Sequence, residues 1–200
     1  MNFAPIDAVL ETERLILRPI TPDDVSLMQA LLTDPKVMRY VDDPIPARDV
    51  ARDAHRWSLR AAGGRIGVWA VEEKATGELI ADGVLMPVPI EEDDYDWEGL
   101  RQDKLPDGPL EVGYLLRPSA WCKGYATEIC TRLLDFAFAE TDRDAIYATT
   151  DPENAQSQKV LHKSGMSYIG QRRAYAWDEV DWFEISRSQW REGLTANKKT

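Results

Sequence analysis

The stretch of this 200-residue chain best suited to chemistry is Glu111–Glu128, EVGYLLRPSAWCKGYATE. Glu111–Arg117 reads as a buried strand that Pro118 ends, and Gly124 stands where a long helix begins. A glycine at a strand-to-helix turn lets successive backbone N–H groups converge on one point. That point also feels the positive end of the helix dipole, about half an elementary charge. It makes a ready seat for a phosphate or pyrophosphate. Other reactive side chains are sparse. Cys122 and Cys130 are too few for a disulfide framework, and their placing in and beside one helix is no metal-ligand pattern, so no metal is expected. Cys122 reads as a small apolar filler. His55 and His162 have no partner pattern and read as surface or packing histidines.

The elements that must position this stretch follow from periodicity and punctuation. After Gly124, apolar residues recur at helical spacing: Ala126, Ile129, Cys130, Leu133, Leu134, Ala137 and Phe138. Residues 1–12 read as a loose arm, and Arg14–Arg18 alternates as a strand. Thr21-Pro-Asp-Asp24 supplies a cap, a first-turn proline and acids for a helix that Asp34-Pro35 ends. An irregular segment, 36–46, leads to a mostly polar helix over Ala47–Ala62, expected on the surface and partly covering a cleft. Ile66–Val71 and Leu79–Met86 form a hairpin around Thr76-Gly77. Ala145–Thr150 is a strand, Asn154–Gly165 a helix with a C-terminal glycine, and Met166–Arg172 and Val180–Ser186 two more strands. Ser188 is placed to cap a final short helix, and 195–200 is expected to be disordered. The strand–helix–strand crossover over Glu111–Thr150 forces at least one parallel pair into a sheet whose hairpins are antiparallel. The fold class is α+β with a mixed, mostly antiparallel central sheet, in a single domain of 200 residues with its core at about 10–190.

Composition narrows the function classes. With 44% hydrophobic and 30% charged residues the chain is that of a soluble globular protein, without a run approaching the ~20 apolar residues of a membrane span. No secretory signal is legible at the N-terminus, so a cytoplasmic location is expected. The net charge of −11 argues against binding nucleic acid through its phosphates. The acid is concentrated: residues 91–109 hold eight acidic side chains against Arg101 and Lys104. That run reads either as a solvated loop or as a rim that attracts a cationic substrate.

Four pieces in order carry a family resemblance: TERLILRPITPDD at 12–24, EVGYLLRP at 111–118, WCKGYATE at 121–128 and DPENAQSQKVLHKSGM at 151–166. Together they resemble the GNAT superfamily of acyl-CoA-dependent N-acyltransferases, and within it the RimJ/RimL-type branch, whose members acetylate protein N-termini or small amines. The resemblance spans roughly Leu10–Arg187. It implies that acetyl-CoA is the co-substrate, that its pyrophosphate rests on backbone N–H groups of Cys122, Lys123, Gly124, Tyr125, Ala126 and Thr127, and that the central strands splay. The pantetheine arm would then pair with main-chain groups near Leu115, Leu116 and Arg117, and a freed N–H at Leu115 or Leu116 would polarise the thioester carbonyl. Cys122 stands where the family often has glycine.

By the same resemblance, Asn154 bonds the pantetheine or orders its loop, and it equally reads as a helix N-cap. Ser157 becomes the acid for the departing thiolate, because the tyrosine many members carry four residues later is Leu161 here. Lys159 and Lys163 read as phosphate contacts or as a solvated face. Glu111 matches a family carboxylate and has two readings, a general base or a strand-end residue paired with an arginine; Asp178 and Glu179 are weaker candidates. A lysine amine of pKa ~10.4 is under a thousandth neutral at pH 7, whereas an α-amine at ~7.7–8.0 is a tenth to a fifth neutral, so α-amines and weakly basic amines need less help. The expected activity is direct acetyl transfer to a primary amine, possibly a cationic one, by a monomer or homodimer. The alternative is a catalytically degenerate acyl-CoA-binding sensor or scaffold.

Overall fold

Short runs of alternating residues produce eight strands among the described residues, and all eight join one sheet. They are β1 (Leu10–Glu11), β2 (Leu15–Pro19), β3 (Gly67–Glu73), β4 (Glu78–Pro87), β5 (Leu110–Gly113), β6 (Ala145–Thr150), β7 (Ser167–Ala174) and β8 (Trp177–Ser186), in spatial order β1-β2-β3-β4-β5-β6-β8-β7. The structure is a computed structural model and describes residues 3–197. Every neighbouring pair is antiparallel except β5–β6, which is parallel as the intervening helix requires. The mixed, mostly antiparallel sheet expected from the sequence is therefore present.

Among the described residues six α-helices flank it: α1 (Val25–Leu32), α2 (Pro35–Met38), α3 (Ala47–Trp57), α4 (Tyr125–Glu140), α5 (Ala155–Lys163) and α6 (Arg187–Asn197). α4 lies flat on one face of the sheet. A Cβ at Gly83 of β4 would stand 3.1 Å from Leu133 and 3.2 Å from Ile129, so a glycine there lets the helix approach the strand closely. Trp69 of β3 meets Phe136 edge-on at 5.6 Å. Successive strand residues point to opposite faces, so Asp82, Val84, Met86 and Glu111 face away from α4. On that opposite face Arg18 makes two bonds of 2.8 and 2.6 Å to Asp24, which also accepts the Thr21 N–H at 2.8 Å. This joins β2 to the start of α1.

Several sequence expectations need correction. Asp34-Pro35 ends one helix but also starts α2, because Asp34 accepts the Lys36 N–H at 2.8 Å and proline suits the first helical turn. α3 stops at Trp57, not Ala62: Ala61 pairs with Ile66, and Ala62 donates to Arg101 at 2.9 Å. Ser186, not Ser188, accepts the Gln189 N–H at the head of α6. That helix runs to Asn197, so 195–197 is helical, while 198–200 lies outside the described residues. The strand expected over Glu111–Arg117 is a regular strand only as Leu110–Gly113, for a reason set out below.

The N-terminal arm is docked rather than loose. β1 pairs with β2, the Trp69 indole N–H donates to Ala8 at 2.7 Å, and Ile6 donates to Gly63 at 3.0 Å. Gly63 has φ +62°, and a Cβ there would meet the carbonyl oxygens of Ala4 at 2.5 Å and Phe3 at 2.8 Å. Gly63→Ala should therefore lower stability by about 1–3 kcal/mol, read as a lower thermal midpoint with faster proteolysis of the arm. An unchanged midpoint would mean that the arm does not hold this position in solution.

Candidate active site

Gly124, at φ +83°, is the N-cap of α4, and the chain reaches it through Cys122 at φ +60°. These two left-handed residues turn the backbone so that its donors face one way. The first intrahelical bond is Glu128 N–H to Gly124, at 3.2 Å. The N–H groups of residues 122–127 accordingly have no acceptor among the described residues, as expected for a helix start and the loop before it. This is the fit a pyrophosphate needs. The cradle is braced from behind: Arg14 donates to the Lys123 carbonyl at 2.9 Å and pairs with Glu128 at 2.6 Å. The Tyr125 side chain is buried below the Arg14 guanidinium, so of the expected binding residues it contributes its N–H alone. Cys122 and Lys123 are exposed.

The two central strands meet and part. β5 and β6 share one register pair, Glu111 with Tyr147, after which β6 follows β8 along its whole length. On its other side, β5 keeps one register with β4 from Pro87–Leu110 to the isolated pair Ala81–Leu116. Asp82 thus faces Leu115. Asp82 N–H donates to the Leu115 carbonyl at 2.9 Å as a regular ladder requires. The return bond does not go to the Asp82 carbonyl: Leu115 N–H donates to the Asp82 carboxylate at 2.7 Å. This substitution is why the strand loses regularity after Gly113. Arg117 N–H then rejoins β4 at Ile80, 2.9 Å away. Leu115 and Arg117 face β4, so by alternation the Leu116 N–H faces the opening between β5 and β6. Of the two donors expected for a thioester, Leu115 is taken and Leu116 remains.

On the α4 side of this opening, Asn154 accepts the Ser157 N–H at 3.1 Å and is the N-cap of α5. The Ser157 hydroxyl lies 3.2 Å from the Tyr114 hydroxyl. Tyr114 belongs to the EVGYLLRP motif but drew no role from sequence; its hydroxyl reaches Ser157 from the strand, where the family's helical tyrosine is absent. Burial pushes the Tyr114 phenol above its ordinary pKa, keeping it a donor. Leu161, where the family tyrosine would stand, is wholly buried.

On the opposite face Glu111 is buried among hydroxyls. Its Oε1 accepts from Tyr95 at 3.0 Å and from Tyr175, and its Oε2 from Thr149 at 2.8 Å. No arginine is among these partners, so the arginine-pair reading does not hold. Burial raises the Glu111 pKa, and burial beside its charge lifts both phenols well above the usual range. Tyr95 comes from the acidic insertion and Tyr175 from the β7–β8 turn, where Tyr175 at φ +53° and Ala176 at φ +58° form a two-residue hairpin without glycine. The insertion is built rather than free: Trp97 is 4% exposed, Asp94 pairs with Arg56 of α3 at 3.1 Å, and Gln102 donates to Arg60 at 2.7 Å. Asp178 is exposed and bound to Arg173, and Glu179, Lys159, Lys163, His55 and His162 are exposed. None of them joins the cluster.

Sequence reasoning also missed Asp82. The one signal was a charged residue inside the apolar run LIADGVLM. It is 3% exposed, and burial raises its pKa to about 7. The folded state therefore holds a proton between about pH 4 and 7 that the unfolded chain has released, so this group's contribution to stability falls as pH rises through that window. Asp82→Asn should be more stable than wild type at pH 8, by on the order of 3 kcal/mol, with the difference vanishing near pH 4 in paired thermal unfolding experiments. Equal midpoints at pH 8 would show the carboxylate to be solvated.

Comparisons with known proteins agree with this geometry. The family model described as an acetyltransferase (GNAT) domain matches residues 14–167. The uncharacterized protein YkkB of Bacillus subtilis is 30% identical over 161 residues, which cover 80% of this chain and 85% of that protein. AAC(6')-Ib in complex with ribostamycin and coenzyme A superposes with a TM-score of 0.69 at 16% identity, covering 90% of this chain and 97% of the other. Spermidine N-acetyltransferase from Vibrio cholerae, in complex with CoA and spermine, gives 0.67 at 18% identity, covering 90% and 99%. At such identities the structural likeness is one of fold, while the family match reaches from β2 into the first residue of β7 and takes in both halves of the site. The chain belongs to the GNAT family and is an acetyl-CoA-dependent N-acetyltransferase.

Proposed function

We propose that the chain acetylates a primary amine, either a protein N-terminal α-amine or a small-molecule amine, in the manner of the RimJ/RimL-type branch, and that it does so in the cytoplasm. No described helix is long and apolar enough to cross a membrane. One observation carries the reading. The opening between β5 and β6 has a proton-accepting group on one face, Glu111 with its phenols, and a proton-donating pair on the other, Ser157 with Tyr114.

The residues divide the work accordingly. The N–H groups of Cys122–Thr127 hold the pyrophosphate, and the main chain at Leu116 and Arg117 guides the pantetheine. Leu116 N–H meets the thioester oxygen, where charge develops during attack; such a donor contributes about 2.7–4 kcal/mol. The amine nitrogen bonds to the carbonyl carbon and the C–S bond breaks, with no acyl-enzyme. The proton shed by nitrogen passes to Glu111 through the hydroxyl of Tyr175 or Tyr95, since these close over the carboxylate. Ser157 gives its proton to the leaving sulfur and is resupplied by Tyr114. Asn154 fixes Ser157 at the head of α5. Two structural neighbours were solved with amines, ribostamycin and spermine, and the acidic insertion beside Tyr95 gives this face a negative rim suited to such acceptors.

Acetyl-CoA turnover should appear, as thiol release, with at least one member of a panel of peptide N-termini, polyamines and aminoglycosides. Silence across the panel would sink the amine reading. With an accepted amine, Ser157→Ala combined with Tyr114→Phe should lower kcat by about a hundredfold, with acetyl-CoA affinity little changed. Unchanged kcat would mean that neither hydroxyl serves as the acid for the leaving sulfur. For a cationic acceptor, kcat/KM should also fall as salt is raised, and neutralising the exposed Glu92 and Asp93 should flatten that dependence. Asp94 is unsuitable for this test because it is tied to Arg56 and Trp97. A salt-independent rate would leave the insertion a structural support alone.

A further inference from the structure

We propose that Asp82 is a positioning residue for acetyl transfer: its carboxylate stands in the β4–β5 ladder in place of its own carbonyl and so aims the Leu116 N–H into the cleft. The register is the basis. Pairs from Pro87–Leu110 to Ala81–Leu116 follow one continuous register, so no residue is inserted or skipped. The break is a single exchanged acceptor: Leu115 N–H goes to the carboxylate at 2.7 Å, while Asp82 N–H still reaches the Leu115 carbonyl at 2.9 Å. The carboxylate thus anchors the Leu115 N–H, and the strand is pinned again at Arg117, where the N–H reaches Ile80 at 2.9 Å. Leu116 lies between the two anchors, with its N–H turned to the β5–β6 opening.

Two further features support the assignment. Asp82 is buried without a cationic partner among the described residues, so packing gains nothing from its charge. By the β4–β5 register it also shares the sheet face of Glu111. The role belongs to the carboxylate oxygen as a hydrogen-bond acceptor of the right reach. Asparagine has the same reach without the charge; alanine has none.

The inference rests on the reading that Leu116 N–H meets the thioester oxygen, and the experiment separates the two. Bound acetyl-CoA carrying ¹³C at the thioester carbonyl is observed by infrared difference spectroscopy in wild type, Asp82→Asn and Asp82→Ala, together with kcat on an accepted amine. Wild type and Asp82→Asn should shift the carbonyl stretch to lower frequency, with kcat within about threefold of each other. Asp82→Ala should lose the shift and about a hundredfold in kcat. An unshifted stretch in wild type overturns the thioester contact and the inference with it. A shift that persists in Asp82→Ala overturns the role of Asp82 alone. If Asp82→Asn loses as much kcat as Asp82→Ala, the carboxylate acts by its charge and the positioning role is overturned. Should Asp82→Ala not fold, amide exchange in the intact protein decides: a Leu115 amide protected alike in wild type and Asp82→Asn supports the bond, and a Leu115 amide exchanging like an open loop overturns it.

Discussion

Two parallel strands that touch at one residue pair and then diverge leave backbone groups with no partner in the sheet. Buried backbone donors and acceptors must be paired, and the parting of β5 from β6 after Glu111 and Tyr147 sets that requirement for the whole site. On the diverging side the Leu116 carbonyl accepts the Trp121 indole N–H at 2.8 Å, and on the β4 side the Leu115 N–H donates to the Asp82 carboxylate. The Leu116 N–H and the six amides ahead of and within the first turn of α4 remain. On the proposed reading, these unpaired main-chain donors are the surface that receives the cofactor.

The same divergence explains why the reactive groups sit on two faces. Alternation along β5 sends Glu111 away from α4 and Tyr114 towards it, three residues later. On the proposed roles, a proton acceptor and a proton donor drawn from one short strand thus stand on either side of the reacting bond. The remote elements are recruited to finish each face. The acidic insertion and the β7–β8 turn bring Tyr95 and Tyr175 to Glu111, and α5 brings Ser157 to Tyr114. The insertion is anchored on α3 and on the segment after it, so its charge is displayed from a fixed frame.

The local features were legible in the sequence and the long-range ones were not. Gly124 announced the cradle because a turn into a helix is settled by neighbours in sequence, and Asn154 announced the start of α5 for the same reason. The order of strands and helices required at least one parallel pair, and the sheet holds one among the described residues. By contrast, Asp82 substitutes for its own carbonyl opposite a residue 33 positions away, and nothing in the apolar run around it indicates that partner. Tyr95 and Tyr175 meet at 2.8 Å across 80 positions, and one of them sits in a hairpin turn that lacks the glycine such turns usually advertise. Tyr114 was in plain view within a recognised motif, but a strand aromatic reads as core until its hydroxyl is seen to have a partner. The arm at the N-terminus looked loose because its anchors, Gly63 and the Trp69 indole, lie some 60 residues on.

Trp121 is 43% exposed, yet its indole N–H holds the Leu116 carbonyl at 2.8 Å. It opens the loop whose amides form the anion cradle, and its bond ends on the strand that carries the proposed thioester donor. On the proposed roles, the two grips on the cofactor are tied together by one aromatic ring, and the spacing between them is set before any ligand arrives. Such a site would work as a gauge. A thioester whose phosphates and carbonyl are separated by the length of pantetheine engages both grips together, whereas a shorter carrier engages one at the expense of the other.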